Sequence, residues 1–264
     1  MRRCASCRFA WVREGLARTA SGRSIYDDDA PIFATETDYY HDESTIDAAR
    51  DKLQWVRRSV PDGAALLDVG ANFGYFVKEA ATCFDAIGIE PSARAVEWAQ
   101  AHLNAPLLAG SIDAPPADFR ARFDVLTMFD VIEHVPDPRA ALERCRECLK
   151  DGGRLFLSTP DAGSVMARLL GRQWYYVDLI QHISLFSEAN LRRLLAETGF
   201  AVVDTRRFGR RYRFSYIERR LRQLSADTPV LRAAHLASLP LRLWPDARVA
   251  INLHDVIGIA ATRT

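Results

Sequence analysis

An open α/β sheet, doubly wound and mostly parallel, is the fold this chain predicts. Two observations carry that reading. After residue 64, short apolar runs alternate with amphipathic stretches, strand then helix then strand. The first of these runs, Ala65-Leu-Leu-Asp-Val69, ends in a turn marked by Gly70 and Gly74, and a helical pattern begins at Tyr75. A strand that ends in a glycine turn at a helix start lets main chain approach a ligand closely.

The elements follow in order. Residues 1–43 lack periodicity and form an N-terminal segment. Ile46, Ala49, Leu53, Val56 and Val60 share one face of a helix predicted over 44–60, with Ser44 as cap and Asp47 in its first turn. Pro61-Asp-Gly63 is a turn. Strands are predicted at Ala65–Val69, Ala86–Glu90, Pro106–Ala109, Phe123–Phe129 and Arg154–Thr159, and helices near 75–82, 92–103, 138–149 and 187–198. Gly152-Gly153 and Gly199 close two of the helices. Phe200–Phe208 is one more strand. The alternation then breaks. Helical patterns near 212–224 and 230–239, with Pro240 and Pro245 as breakers, precede a last strand over 250–262. The chain thus divides into a core over 44–208, an insertion over 209–247 and a final core strand within 248–264.

Composition sets bounds. The 264 residues suffice for one α/β domain with an appendage, and 48% hydrophobic content supports a packed core. A net charge of +1 gives no global pull on polyanions, and no nucleic-acid partner is expected. Charge is nonetheless uneven: 27–51 is acid-rich, whereas 206–222 holds Arg206, Arg207, Arg210, Arg211, Arg213, Arg219, Arg220 and Arg222 against Glu218 alone. Three readings of that stretch stay open: a solvated helix, contact with a membrane surface through 206–224 aided by its aromatic residues, or recognition of a phosphate-bearing substrate. The five cysteines and the missing secretory signal point to a reducing, cytoplasmic compartment.

The chemistry lies in the loops after the strands. Asp68 precedes the first glycine, unlike the dinucleotide pattern G-x-G-x-x-G. Glu90 ends the next strand, where a carboxylate accepts hydrogen bonds from ribose hydroxyls. Asp113 follows the third strand, and its carboxylate suits an exocyclic amine.

Asp68-Val-Gly70-Ala-Asn72-Phe-Gly74 resembles motif I of the class I S-adenosylmethionine-dependent methyltransferases, D/E-x-G-x-G-x-G, with Asn72 at the middle glycine. Phe123-Asp-Val-Leu-Thr-Met-Phe-Asp-Val-Ile-Glu-His-Val-Pro-Asp-Pro138 resembles the motif IV region of the branch that includes ubiquinone-type O-methyltransferases. Leu149–Pro160 is similar to the motif that follows it. Leu170-Gly-Arg-Gln-Trp174 and His182-Ile-Ser-Leu-Phe-Ser187 are similar to a later G-x-x-W and H-x-x-x-F-S pair.

The resemblance implies a Rossmann-like, seven-stranded sheet whose last strand is antiparallel, with 209–247 inserted before that strand. It implies S-adenosyl-L-methionine as cofactor and a small-molecule or glycan-type acceptor, with O-methylation favoured. Asp68, Gly70, Ala71, Asn72 and Gly74 would form the cofactor loop. Glu90 would take the ribose and Asp113 the adenine end, with Phe129 and Asp130 beside the cofactor. Trp174, Tyr175 and Tyr176 either line an acceptor pocket or pack a connecting loop. His182 and His134 are the candidate general bases. Asp130, Glu133 and His134 match the acid-x-x-Glu-His spacing that some related quinone enzymes use with a divalent cation; here no metal is expected. Cys4-Ala-Ser-Cys7 is half of a zinc pattern without a partner pair. Two rival functions remain: an inactive cofactor-binding scaffold acting through the Arg-rich insertion, and a nicotinamide-dependent oxidoreductase.

Overall fold

The structure is a computed structural model that describes residues 2–4, 9–11, 43–177, 182–213 and 248–264. It contains two compact units. One runs to Phe208 and resumes at His254; the other is Gly209–Leu253. In chain order the elements are β1 (Arg2–Arg3), β2 (Ala10–Trp11), α1 (Glu43–Arg57), β3 (Ala65–Val69), α2 (Tyr75–Ala80), β4 (Asp85–Glu90), α3 (Ala93–Leu103), β5 (Leu107–Ala109), β6 (Phe123–Phe129), α4 (Pro138–Cys148), β7 (Leu149–Pro160), α5 (Val165–Leu170), β8 (Ser184–Leu185), α6 (Glu188–Glu197), β9 (Phe200–Arg207), β10 (Arg210–Arg213), β11 (Arg248–Ile251) and β12 (Val256–Arg263).

Seven strands form the main sheet in the order β5-β4-β3-β6-β7-β12-β9. The pairs from β5 to β7 are parallel, and β12 is antiparallel to both β7 and β9. This is the seven-stranded, doubly wound sheet that the sequence predicts. Its strands are near-continuous apolar runs because both faces are covered. Alternate residues feed two separate cores. Leu66 and Phe156 pack with Trp55, Val56 and Val77 on one face. Leu67, Leu155 and Leu157 pack with Leu126, Met128 and Leu142 on the other. Trp55 is the largest anchor of the first core. Its ring meets Phe156 and Phe208 edge-on, at centroid distances of 5.0 and 5.4 Å, and its Nε1 donates to Asp204 at 2.7 Å. A Cβ on Gly258 would lie 2.5 Å from Phe208 and 3.0 Å from Trp55, so β12 can pass beneath these rings only as glycine.

Helix starts are set by side-chain caps. Ser92 accepts from Ala95 N, Asp137 from Arg139 N and Ala140 N, and Ser187 from Asn190 N. Each such cap stabilises its helix by about 1 kcal/mol.

Several boundaries differ from the sequence reading; the first helix, for example, ends at Arg57 rather than residue 60. The fifth core strand begins at Leu149 rather than Arg154, because Leu149 already pairs with Phe123. The final stretch splits in two. Arg248–Ile251 pairs with Arg210–Arg213 in its own antiparallel ladder, and only Val256–Arg263 joins the main sheet. The second unit therefore ends at Leu253 rather than 247, and Tyr212 and Arg213, expected in a helix, lie in a strand. Tyr212 pairs with Val249, and Val249 and Ile251 are β-branched at period two, so strand pairing outweighs the helical period. The rest of the predicted helices, over 214–247, lies outside the described residues, as does Cys7.

The aperiodic N-terminal segment contributes one piece of structure. Strands β1, β2 and β8 form a small antiparallel sheet, and Phe9 packs on Phe186 at 5.1 Å. Among the described residues, no helix is long and apolar enough to cross a membrane.

Candidate active site

The chain leaves β3 toward β4 and β5 on one side, then returns to lay β6 on the other side. Open α/β sheets bind ligands at such a reversal, outside the carboxyl ends of the strands. Here that place is the turn after β3 and the loop after β6.

The turn is left-handed at three positions: φ is +71° at Gly70, +48° at Asn72 and +75° at Gly74. Space as well as angle demands the two glycines. A Cβ on Gly70 would lie 2.5 Å from Val131 Cγ2, and one on Gly74 would lie 2.5 Å from Leu107 Cδ1. Asn72 replaces the motif's middle glycine at an angle that asparagine adopts more readily than other side-chain-bearing residues. The substitution therefore keeps the bend. Its buried Oδ1 has no hydrogen-bond partner among the described residues, which leaves an acceptor for a ligand donor.

Main chain and one carboxylate hold the turn. Gly70 N and Ala71 N both donate to Ile89 O, at 2.9 and 3.1 Å. Glu90 accepts from Asn72 N at 2.9 Å and from Ser92 N at 3.0 Å, one bond to each oxygen. Burial raises the Glu90 pKa, and those two N–H bonds oppose the shift. Asp68 is buried behind the turn and accepts from Thr127 Oγ1 at 2.6 Å. Burial lifts its pKa to about 7, countered by Thr127 and by the charge of Lys52. Asp113 lies past β5, exposed, and accepts from Ser111 Oγ at 3.2 Å.

Lys52, which the sequence reading passed over, reaches this site from α1. Its Nζ is 2.8 Å from Asp130 Oδ2 and 4.9 Å from the centre of the Phe129 ring. Asp130 Oδ1 accepts from Ser158 Oγ at 3.0 Å. Both oxygens of Asp130 are thus engaged. One signal was available: Lys52 falls between Ala49 and Val56 at helical spacing, a cation on an otherwise apolar face.

Glu133 and His134 lie on a single 3₁₀ turn after β6. Glu133 is 1% exposed and accepts from Thr159 Oγ1 at 2.9 Å. Burial, and then the charge of Asp130, push its pKa to about 7, while His182 pulls it back. His134 Nε2 is 4.0 Å from Glu133, and the His134 and His182 rings are 4.8 Å apart. The spacing pattern named Asp130, Glu133 and His134; the structure instead gathers Glu133, His134 and His182, one polar atom of each within 4.8 Å of the others. Such a set can share a proton or hold a cation. His182 Nδ1 is 2.7 Å from Tyr176 O. A carbonyl only accepts, so Nδ1 carries the proton and Nε2 keeps the lone pair in the neutral ring.

Of the three aromatics, Trp174 and Tyr176 are buried and Tyr175 is 37% exposed. Trp174 Nε1 and Tyr175 OH both donate to Asp255 Oδ2, at 3.2 and 2.6 Å. Asp255 is a further residue the sequence reading did not single out.

A glycine bend at the switch point, backed by a buried acid on each of β3 and β4, defines a Rossmann-like enzyme that binds a nucleoside cofactor. A family model described as a methyltransferase domain matches residues 42–205, and the chain belongs to that family. It is 30% identical over 198 residues to a ubiquinone biosynthesis O-methyltransferase of Leptothrix cholodnii, covering 68% of this chain and 80% of that one. It is 31% identical over 177 residues to the O-methyltransferase rstn1 of Aspergillus nomiae, covering 61% and 76%. The fold is shared with a possible histamine N-methyltransferase of Thermotoga maritima (TM-score 0.58, 21% identity, 88% of this chain and 96% of that one). It is shared too with phosphoethanolamine N-methyltransferase 2 of Haemonchus contortus, solved with S-adenosyl-L-methionine (TM-score 0.55, 15% identity, 88% and 59%). The protein is an S-adenosylmethionine-dependent methyltransferase.

Two outcomes test the site. Glu90→Ala removes the carboxylate that holds Asn72 N, and calorimetry should show cofactor affinity at least ~10-fold weaker, given the ~1.5–3 kcal/mol of a hydrogen bond to a charged group. Glu133 holds its proton more tightly folded than unfolded. The stability it contributes is therefore complete at acid pH and is lost as pH rises through about 7. Cofactor-free protein should show a smaller fall in melting temperature between acid and alkaline pH in Glu133→Gln than in the parent. Parallel curves would refute the assignment.

Proposed function

We propose that this enzyme methylates a hydroxyl oxygen of a small molecule, with His182 as general base. The observation that carries the reading is the bond from His182 Nδ1 to Tyr176 O, which leaves Nε2 basic beside His134 and Glu133. Two relatives with O-methyltransferase names support the oxygen acceptor.

When bound, S-adenosylmethionine supplies a methyl group on a positively charged sulfur, ready for in-line displacement. The chain's part is to hold and orient. Gly70, Ala71, Asn72 and Gly74 cradle the methionine portion through main chain. Glu90 accepts from the ribose hydroxyls with the lone pairs left after Asn72 and Ser92. Asp113 takes the adenine end, and Phe129 lines the cofactor. Lys52 and Asp130 present opposite charges to the carboxylate and ammonium of the amino-acid end. His182 removes the acceptor hydroxyl proton, and His134 with Glu133 passes it on. Trp174 and Tyr176 exclude water from that side. The reading is metal-free: Asp130, the first acid of the cation-binding spacing, serves Lys52 and Ser158, and Glu133, His134 and His182 carry the proton.

The acceptor is of glycan or lipid-linked type in this reading, and the stretch 206–224 touches a membrane surface from the cytoplasmic side. Support is partial. Arg207 is spent on Asp161 and Glu188, and Arg206 lies over Phe208 at 5.1 Å. Arg210–Arg213 forms β10, and Arg213 is paired in register with Arg248 across the ladder. Like charges in register favour an anionic neighbour.

His182→Gln should lower kcat by roughly 10²–10⁴-fold while leaving S-adenosylhomocysteine affinity intact, and a chelator should leave the parent rate unchanged. Full turnover in the variant, or loss of turnover with the chelator, refutes the respective part. Flotation with vesicles should recover the protein only when anionic lipid is present; equal recovery without it counts against membrane contact.

A further inference from the structure

We infer that Asp255 is a positioning residue for His182, acting through the turn Trp174–Val177. Asp255 sits one residue before β12, far in sequence from every motif, and is 3% exposed. A buried carboxylate is costly unless donors surround it. Here both side-chain donors come from one turn: Trp174 Nε1 and Tyr175 OH converge on Oδ2. Val177 N donates to Trp174 O at 2.8 Å and closes the turn, so Tyr175 and Tyr176 are its central residues. Asp255 thus grips the first two residues of the turn, and the third supplies the carbonyl that accepts from His182 Nδ1.

The same residue ties the start of this segment. Asp255 O accepts from Asp161 N at 2.8 Å. Asp161 in turn accepts from Gly163 N at 2.8 Å, Glu188 N at 3.2 Å and Arg207 Nη1 at 2.6 Å. Both the departure of the chain from β7 and the turn that faces His182 are therefore referred to one point just before β12. Rotation of the turn would swing the Tyr176 carbonyl away. His182 would then lose the bond that selects its tautomer, and Nε2 would no longer be held as the lone-pair nitrogen beside His134 and Glu133.

This inference rests on the proposed role of His182, and the two can fail separately. The test is nitrogen-15 NMR of the histidine rings in the full chain, with S-adenosylhomocysteine binding measured alongside. The parent should show the proton of His182 on Nδ1. Asp255→Ala should lose that signature while keeping S-adenosylhomocysteine affinity, since the cofactor turn makes none of these contacts. Asp255→Asn, whose amide oxygen still accepts from Tyr175, should retain it. Should Asp255→Ala fail to fold, Tyr175→Phe removes one bond from a partly exposed residue and should shift the His182 signals in the same direction. An unchanged His182 spectrum in whichever variants fold overturns the assignment. So does a change that comes only with loss of S-adenosylhomocysteine binding. A lost signature with undiminished methyl transfer leaves Asp255 as the positioning residue and removes His182 as the base.

Discussion

The closeness of the β3 turn to the loop after β6 governs the site. No Cβ fits between Gly70 and Val131, and the backbone there must be left-handed. Because the turn is drawn in this far, Ile89 O can receive two N–H groups and Glu90 can receive a third. What faces the crevice is main chain, fixed from behind. Such a surface recognises a ligand by approach and hydrogen bonding and needs little side-chain chemistry of its own.

Buried carboxylates form a second constraint. Asp68, Glu90, Glu133, Asp161 and Asp255 are all buried. Asp68 and Glu133 have pKa values raised to about 7, the mark of acids taken out of water without full compensation. Protonating either acid removes the cost of holding its charge away from water. Lys52 tempers the field where it meets Asp130.

The fold was legible because each core strand is a short apolar run bounded by turn residues. The alternation of Leu66 and Leu67 between the two cores follows directly from strand periodicity. The cofactor turn was legible for a related reason: its conformation is set by residues adjacent in sequence. Asn72 looked like a defect in the motif. The positive φ shows it to be a second solution to the same backbone requirement. Lys52 was hidden because a helix reading scores apolar positions and treats an interposed lysine as surface. The Arg248–Ile251 ladder was hidden because it abuts a true core strand, and a continuous β-prone run does not reveal that its halves pair with different partners.

The acceptor side differs in kind. His182 is oriented by Tyr176, Tyr176 lies in a turn held by Asp255, and the strand just beyond His182 pairs with Ala10 and Trp11 near the start of the chain. None of these partners is a sequence neighbour of another set by spacing alone. Glu133 is satisfied by Thr159 from the adjacent strand. The glycine bend is built from local geometry and is legible in full as a motif, whereas the motifs around His182 name residues without revealing the long-range contacts that hold them.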